Sequence, residues 1–192
     1  MSTEAPSSLH GLSIAEKISR LTAFIADDLD ARAAIGMHAT DACYLLIARS
    51  AESPVAQALR AHADRISSMG LRLRAIFSEI DQAGAHLAAP FVVPSECRIA
   101  RDSRLLAAHE QLVLTPTRTW LGDCMRREAG KRDAFERYAH DCAQTGAHAT
   151  RSFESLWRIT APLVAMPSLV TLTKMLNIAT AAEKIPDDLH RQ

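Results

Sequence analysis

The first regular pattern of apolar residues follows a polar N-terminus. Ser13 is suited to cap a helix, and Glu16, three residues later, completes a capping-box pattern. From there the apolar residues recur every three or four positions, at Ile14, Ile18, Leu21, Ile25 and Leu29. This spacing predicts an amphipathic helix that ends at Gly36. The charged residues expected outside its buried stripe are Lys17, Arg20, Asp27 and Asp28.

A strand–helix–strand unit is predicted next. Residues 43–48 form a continuous apolar run, which is typical of a strand covered on both faces. A helix is expected from Ser53 onward, with Pro54 in its first turn and Gly70 at its end. Its apolar stripe consists of Val55, Leu59, His62, Ile66 and Met69. A strand pattern returns at 71–77, and a helical crossover implies that the two strands are parallel.

The remainder of the chain mixes short strands and helices. Strands are predicted at 97–100, 111–114 and 118–121, with Thr115 and Pro116 in the turn between the last two. Helices are predicted over 145–159 and 168–183. With residues 1–11 taken as a flexible leader, we expect one α/β domain over residues 12–192. Its fold class would be a mixed, largely parallel β-sheet flanked by helices.

Composition and charge narrow the classes of function. The chain has 192 residues with 22 basic and 22 acidic side chains, so it lacks the basic excess typical of nucleic-acid or membrane-surface proteins. Its four cysteines include no CxxC pair, which favours reduced thiols over disulfides or zinc. Pro167 and Lys174 interrupt the most apolar stretch, so no membrane helix is predicted. We expect a cytoplasmic protein without metal or cofactor.

Three features occur in a defined order between Arg98 and Trp157. A strand with a histidine covers residues 108–114, and an apolar strand at 120–124 contains Gly122. A helix then ends in Ser-Phe-Glu-Ser-Leu-Trp at residues 152–157. With the upstream strand–helix–strand unit, this order resembles half of a phospholipase D-like domain and spans most of residues 40–160. The resemblance implies that fold. It also implies a homodimer, because intact relatives build one site from two halves.

The resemblance implies a catalytic motif that is degenerate in this chain. The family uses a histidine nucleophile, a lysine two residues on, an aspartate five further, and then Gly-Ser-x-Asn. The histidine forms a phospho-enzyme, while the lysine and asparagine hold the phosphate oxygens. When the count starts at His109, Gln111 occupies the lysine place and Pro116 the aspartate place.

A second register aligns Gly122 with the glycine of the family. Ala108 then occupies the histidine place, Glu110 the lysine place and Thr115 the aspartate place, while Asp123 and Met125 replace the serine and the asparagine. Neither register retains the lysine or the aspartate. A carboxylate in the lysine place would repel phosphate, so this mechanism predicts an inactive protein.

A basic cluster occupies the same region. Between residues 98 and 137 there are nine basic and six acidic residues, a difference of +3. The candidate anion-binding residues are Arg118, Arg126 and Arg127, since guanidinium groups can fork a phosphate or carboxylate. The alternative is a solvated, salt-bridged surface, because acidic residues are interspersed throughout.

His109, Glu110 and Asp123 are the candidate catalytic residues. If their two strands pair, they could form an acid–base group beside Arg126. Histidine is the usual proton carrier near neutral pH, and a carboxylate would orient it. The alternative is a strand-edge histidine bonded to a backbone group.

Three functions therefore remain open. The first is a non-catalytic protein of phospholipase D-like fold that binds a protein partner or a small anion such as phosphate or carboxylate. The second is a phosphodiesterase-like hydrolase with an altered site around His109, Asp123 and Arg126. The third is nucleic-acid binding through the arginine cluster, which the balanced net charge disfavours. The degenerate motif favours the first, so enzymatic activity is not expected.

Overall fold

Residues 13–35, 42–78, 95–100, 108–126 and 135–162 are described in the computed structural model of this chain. The helices in this part are α1 (Ile14–Ala34), α2 (Pro54–Ala61), α3 (Ala63–Ser68) and α4 (Ala143–Trp157). The strands are β1 (Cys43–Ala48), β2 (Arg72–Phe77), β3 (Ser95–Ile99), β4 (His109–Val113), β5 (Thr119–Cys124), β6 (Arg137–Ala139) and β7 (Ala161–Pro162). The predicted leader, Gly36, Arg127 and the helix predicted over 168–183 lie outside the described residues.

The strands form one mixed sheet with the order β6-β5-β4-β1-β2-β3-β7. The central strands β1, β2 and β3 are parallel, and every other neighbouring pair in this sheet is antiparallel. The predicted mixed α/β sheet flanked by helices is confirmed. The expected parallel majority is not found, because only the two central pairs of the six neighbouring pairs in this sheet are parallel. Strands β6 and β7 were not predicted, because three and two residues are too few to show an alternating pattern.

Helix α1 begins at the predicted capping box. The side-chain oxygen of Ser13 accepts a hydrogen bond from the backbone N–H of Glu16, whose carboxylate accepts one from the backbone N–H of Ser13. The buried face consists of Lys17, Leu21, Phe24, Ile25, Asp28, Leu29 and Arg32. The prediction that Lys17 and Asp28 lie outside this face was wrong, because both have partners in the interior. Lys17 lies over the ring of Trp120, and Asp28 belongs to a polar network.

The helix predicted between the first two strands is interrupted. It consists of α2 and α3, which meet at His62, whose backbone leaves the helical conformation at φ −112°. Nε2 of His62 lies 3.0 Å from the carbonyl oxygen of Thr22 in α1, so the ring donates across the helix pair. One continuous helix was therefore a wrong prediction. The predicted helix end is confirmed, since Gly70 adopts the left-handed φ of +70° that favours glycine.

Strand β1 is covered on both faces, as its continuous apolar run predicted. Tyr44 and Leu46 pack in a core with α1 and α2, while Leu45 and Ile47 pack with α4. Successive residues of a strand point to opposite faces, so a strand between two helical layers has no position for an exposed polar residue.

A buried polar network joins α1 to β1 and to the end of β4. Oδ2 of Asp28 accepts hydrogen bonds from Nε of Arg32 and from the hydroxyl of Tyr44, each at 2.7 Å. Nη2 of Arg32 donates to the carbonyl oxygen of Leu114 at 2.8 Å. Burial, followed by the charge of Asp28, raises the pKa of Tyr44 above its ordinary value. The phenol therefore stays neutral and keeps its role as a donor.

Replacement of Tyr44 by Phe tests this network. At neutral pH we expect the free energy of unfolding to fall by about 2 kcal/mol, because a buried hydrogen bond to a charged group is lost. The raised pKa means that the unfolded chain loses the phenolic proton first as the pH rises. The stabilisation is complete below the ordinary tyrosine pKa of about 10 and is lost above it. Urea unfolding at several pH values measures both effects.

The matched control is Tyr138→Phe. Its hydroxyl donates to Glu136 at 3.2 Å, and the residue is only partly buried. We expect its replacement to cost less than about 1 kcal/mol. Equal losses in the two variants, or a Tyr44→Phe protein whose stability falls in alkali as steeply as that of the parent chain, would contradict the role given to Tyr44.

Candidate functional site

The predicted catalytic residues lie where β4 begins and β5 ends. Strand β4 is antiparallel to β1, and β5 is antiparallel to β4. His109 and Cys124 therefore lie at the edge of the sheet where the parallel strands have their carboxyl ends. That edge is the usual place for ligand sites in open α/β sheets.

A β-bulge shapes this edge. His109 pairs with Cys124 and Gln111 pairs with Leu121, so two residues of β5 lie opposite Glu110 alone. These two residues are Gly122 and Asp123. A Cβ atom on Gly122 would overlap the ring of Trp120 and lie 3.2 Å from Cβ of Glu110. Only glycine leaves room for the Trp120 ring at this position.

His109 is exposed and fixed by a backbone contact. Its Nδ1 lies 2.9 Å from the carbonyl oxygen of Gly122, which can only accept, so Nδ1 carries the proton. The ring also meets that of Phe135 edge-on, at 6.2 Å between the centroids. In the neutral imidazole, Nε2 is then the unprotonated nitrogen. A backbone carbonyl therefore fixes the tautomer of His109. This contact agrees with the alternative given from the sequence, a strand-edge histidine bonded to a backbone group.

Glu110 is buried on the opposite face of β4 from His109, because neighbouring residues of a strand alternate. Its Oε2 lies 2.7 Å from Nη1 of Arg49, and its Oε1 accepts from the backbone N–H of Arg49 at 3.2 Å. Nη2 of Arg49 donates to the carbonyl oxygen of Cys124 at 2.9 Å. The pair links the ends of β1 and β5 to the start of β4.

Sequence reasoning missed Arg49 altogether. It directly follows the apolar run of β1, and it is buried at 4% exposure. A charged residue at the end of a fully covered strand is the signal that could have identified it. Its partner lies 61 residues away in sequence, so the pairing itself was not readable.

Asp123 is also buried, and its Oδ1 accepts a hydrogen bond from the backbone N–H of Phe135 at 3.1 Å. The orienting contact on His109 comes from the Gly122 carbonyl, not from the Asp123 carboxylate. The structure therefore brings His109, Glu110 and Asp123 to one edge of the sheet but gives each a different partner.

In each of the two registers of the family motif, the residue at the lysine position is bonded to another group of the protein. Gln111 is buried, and its Nε2 donates to the carbonyl oxygen of Ala149 in α4 at 2.8 Å. In the other register, Glu110 is paired with Arg49. Neither position presents a positive charge at the surface.

The candidate anion-binding arginines are separated. Arg118 precedes β5, six residues before Cys124, which places the two about 20 Å apart at the rise of a strand. Its Nη2 contacts Asp27 at 3.4 Å, and its guanidinium lies over the ring of Phe24 at 4.9 Å. Arg118 is therefore at the opposite end of β5 from Arg126, and the two do not face one small anion.

Arg126 follows the end of β5 and is exposed, without a hydrogen bond or ion pair to another described residue. Arg98, by contrast, closes the C-terminus of α4. Its Nη1 donates to the carbonyl oxygens of Trp157 and Thr160, at 2.9 and 3.2 Å, and its guanidinium lies 4.3 Å from the centre of the Trp157 ring. In the described part of the basic cluster, Arg98 and Arg118 thus have structural roles.

Within the described ranges, no group of three or more His, Cys, Asp or Glu side chains is arranged to hold a metal ion. None of the helices in those ranges has the length and apolar character needed to cross a membrane.

Comparison with known proteins gives a likeness of fold. No family model and no curated protein matches the chain. Among solved structures, it is similar to Nuc from Salmonella typhimurium, a phospholipase D family member, with a TM-score of 0.48 and 9% sequence identity. The alignment covers 81% of this chain and 93% of that chain.

Replacement of Glu110 by Gln tests the buried ion pair. The change leaves the guanidinium of Arg49 buried without a counter-charge, so we expect the free energy of unfolding to fall by at least about 3 kcal/mol. Urea denaturation followed by circular dichroism gives this value.

Glu154→Gln serves as the control. Glu154 pairs with Arg74, and their side chains are 38% and 24% exposed. Solvent screens such a pair, so the expected loss is below about 1 kcal/mol. A Glu110→Gln loss as small as that of the control would show that the Arg49–Glu110 pair does not hold the three strands together.

Proposed function

We propose that this chain is a non-catalytic protein that binds a small oxyanion, such as inorganic phosphate or a phosphate monoester, beside His109 and Arg126. The observation that supports the absence of catalysis is what the two residues that could occupy the lysine position of the family motif are bonded to. In one register Gln111 is bonded to the Ala149 carbonyl, and in the other Glu110 is paired with Arg49. A phosphoryl-transfer site needs a cation that faces the transferring group, and neither residue supplies one.

Arg49 does not replace the missing lysine. It is buried, one terminal nitrogen binds Glu110, and the other binds the Cys124 carbonyl. The carboxylate of Glu110 neutralises its charge, so the pair offers no net attraction to an incoming phosphate. Displacement of Glu110 by a phosphate would leave a buried carboxylate uncompensated, which is strongly unfavourable.

The exposed groups at the same edge support the anion-binding part. Because Nδ1 of His109 is bonded to Gly122, Nε2 is the ring atom left for a ligand, and it becomes a donor when the imidazole is protonated. Arg126 lies two residues beyond Cys124, the register partner of His109. Two residues span at most about 7 Å, which an arginine side chain can bridge. One small oxyanion could therefore receive hydrogen bonds from both.

A second candidate function is an altered phosphodiesterase, and one observation favours it. The Gly122 carbonyl holds the proton of His109 on Nδ1, which leaves a lone pair on Nε2. A nucleophile or general base requires this tautomer. In this candidate the lysine place of the motif holds Gln111 or Glu110 in place of a cation, and this is the reason we rank it second.

Nucleic-acid binding ranks below both. Within the described cluster, Arg98 and Arg118 are engaged with the protein itself. The homodimer that the resemblance implies stays part of the proposal, because a second copy would bring a second His109 and Arg126 to the assembly.

Titration of the full chain with inorganic phosphate, followed by backbone-amide NMR, tests the anion site. We expect His109→Ala and Arg126→Ala each to weaken binding about five- to tenfold, because each removes one charge-assisted hydrogen bond. The controls are His148→Ala and Arg151→Ala, which change the same residue types at exposed positions of α4. The control variants should bind phosphate within about twofold of the parent chain.

Hydrolysis of bis(p-nitrophenyl) phosphate separates the two candidates. The proposal predicts no nitrophenol release beyond that of the His109→Ala protein. Turnover by the parent chain that disappears in this variant would overturn the non-catalytic assignment in favour of the phosphodiesterase. A flat phosphate titration, or equal weakening by the α4 controls, would overturn the anion site.

A further inference from the structure

A cavity of ≈ 580 Å³ opens at the other end of the sheet from His109. Its walls come from the last turns of α1, the start of β1, the β4–β5 turn and α4. Much of the lining is apolar and includes Ala31, Leu45, Val113 and Pro116. This volume lies in the range of about 300–1,000 Å³ that is typical of small-molecule sites.

Two charged residues of the buried network form part of the same wall. Asp28 and Arg32 line the cavity and are only 3% and 7% exposed. The network occupies Oδ2 of Asp28 and the Nε and Nη2 atoms of Arg32. Among the residues that the structure describes, Oδ1 of Asp28 and Nη1 of Arg32 have no hydrogen-bond partner. Neither atom belongs to the fully buried side-chain atoms that lack a partner, so an acceptor and a donor are accessible in a largely apolar cavity wall, where each can bind a ligand group.

We propose that this cavity binds a neutral, largely apolar small molecule that ends in a carboxamide-like donor–acceptor pair. The carbonyl oxygen of such a group accepts from Nη1 of Arg32, and its N–H donates to Oδ1 of Asp28. The two residues already neutralise one another, so a charged ligand would lose its hydration without gaining a counter-charge. A pure hydrocarbon would leave both polar atoms unsatisfied. This inference does not depend on the function proposed for His109.

Three probes with the same ring system test the ligand class on the full chain. They are 2-naphthamide, 2-naphthoate and 2-methylnaphthalene, which differ only in the group that would meet Asp28 and Arg32. Backbone-amide NMR titrations should show 2-naphthamide binding about tenfold more tightly than either of the others, as two added hydrogen bonds allow. The shifts should centre on Ala31, Thr115 and Thr150, which line the cavity.

Two variants locate the site. Thr150→Trp fills the cavity from α4 without altering the Asp28–Arg32 pair, and we expect it to weaken 2-naphthamide binding at least tenfold. Arg32→Lys keeps the positive charge but removes Nη1, and we expect it to abolish the preference for the amide over 2-methylnaphthalene. The matched control is Ser155→Trp, which adds the same side chain at an exposed position of α4 and should change nothing.

Three results would overturn the proposal. One is equal or undetectable binding of the three probes by the parent chain. Another is unchanged 2-naphthamide binding by a folded Thr150→Trp protein. The third is dissociation of a dimer by this variant in sedimentation velocity, which would assign the cavity to an interface between two copies. If either variant fails to fold, the relative affinities of the three probes for the parent chain decide whether the proposal stands.

Discussion

Arg49 and Glu110 place opposite charges in the interior, at the point where β1 ends and β4 begins. Removing each ion from water costs several kcal/mol, and only close contact with good hydrogen bonds offsets this cost. The pair achieves this through the 2.7 Å contact, the backbone N–H of Arg49 and the Cys124 carbonyl. Neither charge can turn toward a ligand without leaving the other exposed to the apolar interior. This constraint determines which groups the carboxyl edge of the sheet presents to solvent.

The remaining geometry of the edge follows from that pair and from one bulge. Because β5 places two residues opposite Glu110, the carbonyl of Gly122 is available to hold His109. The Trp120 ring occupies the space beside Gly122, on the face of the sheet that carries Glu110. His109 thus lies on a rigid support, while the neighbouring carboxylates of Glu110 and Asp123 are buried. An ordered histidine with the exposed Arg126 nearby, but with no cation in the lysine place of the motif, suits anion binding better than phosphoryl transfer.

The sequence predicted the parts of the fold that depend on local pattern. The capping box of α1 and the apolar run of β1 were readable because cap chemistry and strand burial act over a few residues. The burial of Lys17 and Asp28 was not readable, because their partners come from other elements of the fold. The break at His62 has the same cause, since the Thr22 carbonyl that holds its ring lies 40 residues earlier.

The candidate site shows the same division. Its location at the start of β4 was predicted from a resemblance and from the paired strands, whereas the register shift that separates His109 from Asp123 leaves no trace in composition or spacing. The most direct test is a crystal structure of the full chain with inorganic phosphate. We predict phosphate within hydrogen-bond distance of Nε2 of His109 and of Arg126, with the Arg49–Glu110 pair intact. Phosphate bound to Arg49 with Glu110 displaced, or a phosphorylated His109, would contradict the account.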